Sequence, residues 1–141
     1  MDKYGFGLAL LTACLWGITP VVEKIGLSKV NPLTAVTIRS LSISIISVCL
    51  LVITGQFKEL IRVEKSSFLC LAAGGICAGL IGMWTYFKAL KYNPGSLVVP
   101  IAATYPLIAL LMSVIFLGEK FTLIKGLGTL LIVAGIALIK G

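Results

Sequence analysis

Charged side chains fall one or a few at a time along this chain and leave long apolar stretches between them. Uncharged runs of 19, 18, 22 and 27 residues occupy positions 4–22, 40–57, 66–87 and 92–118, and a fifth run, of 14, occupies 126–139. A helix needs about 20 predominantly apolar residues to cross the hydrocarbon of a bilayer. Four runs approach or exceed that length. The fifth reaches it once Phe121–Ile124 join it and Lys125 extends its ammonium to the interface. The pattern predicts an all-α integral membrane protein, a bundle of five transmembrane helices at 4–22, 33–54, 67–89, 96–117 and 121–139. Core helices of a water-soluble domain do not repeat this length five times.

The joints between these runs carry turn chemistry: Asn31-Pro32, Thr54-Gly55, Asn93-Pro94-Gly95 and Gly118. The longest loop, 56–65, interleaves Phe57, Leu60, Ile61 and Val63 with charges, the composition of a short amphipathic stretch lying on a membrane surface. No linker is long enough for a second domain, so 1–141 is expected to form a single transmembrane domain.

The helices differ in what they present. Ala9, Ala13 and Gly17 recur every four residues in the first, and Gly75 and Gly79 do so in the third. Small residues at that spacing let helix backbones approach closely where lipid offers no hydrophobic drive. Thr37, Ser40, Ser44 and Ser47 share one face of the second helix, as packing glue or as a cavity wall, with packing the reading favoured. Pro100 and Pro106 both fall in the fourth, where each removes a backbone hydrogen bond and invites a kink. Carbonyls freed at that depth are tolerated only against protein or a water-filled cavity, the first hint of a pathway rather than an anchor.

Composition sharpens the class: 59% of residues are hydrophobic and 12% charged, too few to cover a soluble surface. The net charge of +7 does not point to nucleic acid, because the twelve Lys and Arg are scattered over helix ends rather than gathered in a stripe. Cys14, Cys49, Cys70 and Cys77 all lie in apolar runs, with no CxxC and no His, so they read as small apolar side chains rather than metal ligands. Leu11-Thr12-Ala13-Cys14 resembles a lipoprotein processing site. The stretch before it is short, Lys3 is offset by Asp2, and the sequence after Cys14 stays apolar, so cleavage there is not expected.

The order of several elements carries a resemblance. Trp16-Gly17, Lys24 and Arg39 are followed by Ala89-Leu90-Lys91-Tyr92, Pro106, Leu117-Gly118-Glu119-Lys120, Gly128 and the run Leu131–Gly135. Together they resemble the EamA-type repeat of the drug/metabolite transporter superfamily, over nearly the whole chain. Ser40 departs from it, standing where that family usually has an aromatic after the Arg. The resemblance implies a transporter of small organic metabolites or drugs. Typical members have ten helices in two repeats of opposite orientation, so a single repeat is expected to work with a second copy or with a homologous half-transporter, or not to transport at all.

The charges bear on that choice. Over five crossings, one side receives Lys3, Lys58, Arg62, Lys65, Lys120 and Lys125, and the other receives Lys24, Lys29, Arg39, Lys88, Lys91 and Lys140, six against six. Orientation follows an excess of Lys and Arg on the cytoplasmic side, and here there is none. Dual topology and an antiparallel homodimer are therefore expected, restoring an inverted-repeat transporter with its site at the interface.

Ionisable groups inside a bilayer are costly and usually mark function. Glu23 stands ten positions past the middle of the predicted first helix, about 15 Å along its axis. Small multidrug transporters of the same superfamily keep a proton-exchanging acid near mid-helix in their first span, a position Glu23 does not match unless the chain unwinds after Pro20. Arg39 lies on the same side, early in the second helix. Two readings stand: an interfacial bridge between helices one and two, or substrate binding and ion coupling. Trp84, Tyr86, Phe87 and Tyr92 read as an interface belt, with Lys88 and Lys91 extended to the headgroups, whereas Trp16 and Tyr105 lie deeper and are the aromatic candidates for lining a cavity. Glu119, in the short turn before the fifth helix, is placed to neutralise its positive end, next to a Thr122 able to cap its first turn.

No nucleophile–base pair, metal cluster or phosphate-cradling Gly loop is present, so neither an enzyme nor a cofactor is expected. The expectation is a half-size secondary transporter of the cytoplasmic or inner membrane, working by alternating access as a dimer. The alternative is a non-transporting membrane subunit or scaffold that packs with a partner protein.

Overall fold

The computed structural model describes residues 3–140, with the Lys140 side chain excluded. Asp2, invoked against the leader reading, and the Lys140 ammonium, counted among the interfacial charges, lie outside what is described. Every element is helical: α1 (Lys3–Leu27), α2 (Pro32–Ile53), the short α3 (Phe57–Ile61), α4 (Lys65–Tyr92), α5 (Gly95–Ala102), α6 (Tyr105–Leu117) and α7 (Leu123–Lys140). Among the described residues, four helical stretches are long and apolar enough to cross a membrane: α1, α2, α4, and Gly95–Leu117, which holds α5 and α6. The fifth apolar helix, Leu123–Ile139, is shorter than the other four. At 1.5 Å per residue it spans about 26 Å, against about 30 Å of hydrocarbon. By length and composition the described residues thus hold four candidate spans and a shorter fifth apolar helix where the charge pattern suggested five spans.

The chain folds as two compact units that meet in sequence at Tyr92–Asn93. In the first, α1, α2 and the last part of α4 pack together at one end. Leu27, Val36, Phe87 and Leu90 form its core, at 0–2% exposure. Each comes from the C-terminal part of α1 or α4 or the N-terminal part of α2, so the core sits where those helix ends meet. Large apolar side chains along the rest of these helices, such as Leu15, Ile45 and Leu71, stay exposed. Lipid tails solvate such side chains without penalty, so dispersion and polar ties must hold the helices together.

Local signals explain the boundaries. Asn31 caps α2, its side chain accepting from Leu33 N at 3.0 Å, with Pro32 in the first turn. The same helix ends in a Schellman turn: Gly55 takes φ +72°, its N–H donates to Val52 O at 3.1 Å, and Gln56 N donates to Leu51 O at 2.9 Å. Within α1, Pro20 removes one N–H, yet the helix continues to Leu27. The chain does not unwind after Pro20: Glu23 is helical, eight residues from the middle of α1, or about 12 Å along the axis.

Two interruptions mark the longer helices. The stretch Gly75–Gly82 of α4 is π-helical, a feature not anticipated from the sequence. Thr85 closes it, its hydroxyl donating to Ile81 O at 3.0 Å and Gly82 O at 2.9 Å. In the second unit, a turn at Ala103 and Thr104 separates α5 from α6. Pro106 stands in the first turn of α6, where its missing N–H costs little, while Pro100 lies inside α5. α7 packs on both α5 and α6. It begins at Leu123 rather than 121, because Thr122 serves as its cap, accepting from Lys125 N at 3.3 Å. The Phe121 ring folds back over Gly126, where an added Cβ would lie 2.7 Å from Phe121 Cζ. Glu119 pairs with Lys125 at 3.9 Å beside the same helix start.

Candidate functional site

The first unit holds an acid–base pair between two membrane-length helices. Arg39 Nε of α2 stands 3.4 Å from Glu23 Oε1 of α1, with the Glu23 side chain 13% exposed and that of Arg39 39% exposed. The pair lines a shallow, open groove of about 250 Å³, walled also by Gly26, Val30, Ala35 and Ile38 and floored by the buried ring of Phe87 from α4. The groove surface is almost wholly apolar, and the carboxylate and guanidinium among its walls face each other, so a polar solute would have to compete with the pair for its acceptor and its donor fork.

Two lysines hold this corner together. Lys24 Nζ donates to Leu90 O, one of the carbonyls in the last turn of α4. Lys91 Nζ donates in the opposite direction, to Val30 O in the turn before α2, at 2.8 Å. Carbonyls of a helix's last turn have no intrahelical partner, and a cation there also meets the negative end of the helix dipole. Lys91 was expected to reach out to headgroups; the structure turns it inward. Lys88 stands 5.7 Å from the centre of the Trp84 ring.

The sequence candidates separate accordingly. Glu23 and Arg39 come together. Trp16, two helical turns before Glu23 on the same face of α1, is 63% exposed and does not line the groove. Tyr105 belongs to the second unit, at the first position of α6, and is 55% exposed. Ala13 is exposed, and Cβ atoms built at Gly17, Gly75 and Gly79 meet nothing within 4 Å, so within the first unit these small residues bring no two helices close. The face carrying Thr37, Ser40, Ser44 and Ser47 is exposed, and Thr37 Oγ1 donates back to Leu33 O at 3.0 Å. Sequence reading missed Phe87 as a floor and Lys24 and Lys91 as ties. The available signal was a basic residue near the end of each of two helices, where such side chains commonly bond the last carbonyls.

Similarity to other proteins places this geometry in context. An uncharacterised transporter of a Sinorhizobium species is 31% identical over 93% of this chain and 92% of its own length. An uncharacterised protein of Methanocaldococcus jannaschii is 31% identical over 94% of this chain and 93% of its own length. An uncharacterised inner membrane transporter of Escherichia coli is 30% identical over 95% of this chain, which there corresponds to 42% of the relative. Relatives of similar length and relatives more than twice as long thus share the sequence. No solved structure matches significantly. Residues 3–141 match the EamA-like transporter family, and the chain belongs to it.

Proposed function

We propose that this protein is a half-size secondary transporter of small organic metabolites or drugs, working by alternating access as an antiparallel homodimer. On this reading all five apolar helices cross the membrane and both units belong to one transmembrane domain. The observation that carries it is the Glu23–Arg39 pair in a groove between helices of membrane-spanning length, in a chain of a transporter family. Ionisable groups at such positions are expensive and mark solute or ion pathways. A groove of about 250 Å³ is slightly small for a ligand site and open on one side. A second, inverted protomer would close it and supply the other half of an inverted repeat.

Glu23 and Arg39 are the proposed solute or coupling groups; Trp16 and Tyr105, each exposed and outside this groove, are proposed as aromatic substrate contacts in the dimer, and Pro20, Pro100 and Pro106 as points of bending. Ala13, Gly17, Gly75 and Gly79 are the proposed close-packing positions between protomers. The cytoplasmic or inner membrane is the proposed location.

Purified protein reconstituted alone in liposomes tests the reading. It should accumulate or release members of a panel of small organic metabolites and dyes, and Glu23→Gln should lower that flux by about tenfold or more, the scale of one lost charge-assisted hydrogen bond. The assembly should keep its size in detergent. Equal loss of flux and assembly would make Glu23 a structural bridge. No flux for any compound would favour a non-transporting subunit. A flux indifferent to an imposed proton gradient would remove proton coupling from Glu23.

A further inference from the structure

Phe87, the floor of the groove, rides on the part of α4 that follows the π-helical stretch, and that part is fastened at its far end. Lys24 reaches from α1 to Leu90 O, and Lys91 reaches from α4 to Val30 O, so each partner supplies one cation and one carbonyl. Leu90 O belongs to the last turn of its helix and Val30 O to the turn between α1 and α2. Neither is needed to complete a helix, so both ties can release without unwinding one.

At the other end, Gly75–Gly82 is π-helical and contains Gly75, Gly79 and Gly82, with Gly74 just before it. Cβ atoms built at Gly74, Gly75 and Gly79 meet nothing within 4 Å, so no contact within the protomer explains those glycines. Glycine's conformational freedom and the poorer fit of i→i+5 bonds make this stretch the most deformable part of α4. A change of even one residue in helical register there turns everything downstream by about 100°, which would carry Phe87 off the groove.

We propose that Lys24 and Lys91 are positioning residues for the Glu23–Arg39 groove: they latch Met83–Tyr92 in place beneath it, and the π-helical stretch is the joint on which that segment swings when the latch opens. The functional meaning rests on the transport reading of the groove, but the motion is measurable without a substrate. Leu90 is 0% exposed and lies one turn or less from the end of α4, where water is near once the segment moves. A Leu90→Cys substitution keeps the carbonyl that Lys24 binds.

In a chain whose four cysteines are replaced by alanine, the Leu90→Cys thiol is expected to react slowly with N-ethylmaleimide in liposomes. Lys24→Met or Lys91→Met should raise the rate about tenfold or more, as loss of one charge-assisted hydrogen bond implies. Lys24→Arg and Lys91→Arg, which keep a donor, should restore protection. Adding Gly75→Ala and Gly79→Ala to either Met variant should slow the reaction again, because a stiffened joint opposes the swing; a general loosening of the fold would not respond in that way. Unchanged rates in the Met variants overturn the latch, and rates indifferent to the joint substitutions overturn the hinge. Met variants that fail to fold, read as loss of a monodisperse peak and of helical circular dichroism, also overturn it, since the lysines would then be general struts. Absence of transport with the expected alkylation pattern would sink the transport reading and leave the latch standing.

Discussion

The Glu23–Arg39 pair sits where electrostatics and solvation pull in opposite directions. Glu23 keeps little solvent contact while Arg39 keeps more, at 13% and 39% exposure of their side chains. Removing Arg39 leaves the acid with a desolvated charge, which costs far more than the intact pair contributes. Arg39→Met is therefore expected to destabilise the protein by about 2 kcal/mol, below the range for a fully buried pair because Arg39 is partly wet. Adding Glu23→Gln should recover most of that loss while leaving transport abolished. Unfolding in mixed detergent micelles read by circular dichroism, with flux measured on the same variants, separates the two effects. Gly55 offers a cleaner case, since its φ of +72° completes the Schellman turn that ends α2. Gly55→Ala should cost about 1 kcal/mol in the same unfolding assay, with flux per folded molecule unchanged. Both positions were legible in the sequence, Glu23 and Arg39 as ionisable groups at the edges of apolar runs and Gly55 as punctuation. Lys24 and Lys91 were not, because a lysine near a helix end reads identically whether it reaches for a headgroup or for a neighbouring carbonyl. Only the packing of α4 against the turn before α2 decides between them.

Helices are where the apolar pattern spoke most clearly, and where its blind spot is also clearest. Long uncharged runs located α1, α2 and α4, and Asn31-Pro32 and Gly118 marked real boundaries. The ends slipped by several residues: α1 runs on to Leu27 through two charged positions, and α4 starts at Lys65 and ends at Tyr92. Charge interrupts a hydrophobic run without interrupting a helix, since Lys and Glu are good helix formers. Pro100 and Pro106 announced a disturbance, yet not that Ala103 would end one helix and Thr104 start the next. The π-helical stretch left no periodic trace at all. Every residue from Gly75 to Gly82 is apolar or small, so no face distinguishes a period of 3.6 from a wider one. Its glycines make it testable as an element. Gly75→Ala with Gly79→Ala should stabilise α4 by up to about 1 kcal/mol per site, since neither added methyl meets a neighbour within 4 Å. Flux in liposomes should fall even as resistance to unfolding rises and the dimer keeps its size in detergent. A rise in both, or no change in flux, would show that the π stretch is passive.

For the whole molecule, the decisive question is whether α7 crosses the membrane, because the charge balance depends on it. If it crosses, the two sides hold six Lys and Arg each; if it returns, Lys140 joins Lys3, Lys58, Arg62, Lys65, Lys120 and Lys125, and the count becomes seven against five. A seven-to-five excess would bias the chain toward one orientation with its N-terminus in the cytoplasm, whereas parity leaves it free to insert both ways. At 18 residues α7 is slightly short, but a mismatch of a few Å costs only fractions of a kcal/mol per Å and is relieved by local thinning. Lys125 in its first turn, paired with Glu119 at 3.9 Å, can remain at the interface while the rest of the helix spans. We therefore expect α7 to cross. Reporters active on only one side of the membrane, fused in turn to each end of the chain, should give signal on both sides for each fusion, in similar amounts. Adding two lysines to the turn at Ser28–Asn31 should then drive all molecules into one orientation and abolish flux, and co-expression with a copy biased the opposite way should restore it. Both ends fixed on the cytoplasmic side would mean four crossings and would remove the inverted pair. A single orientation with the ends on opposite sides would keep five crossings and require a parallel or a different partner.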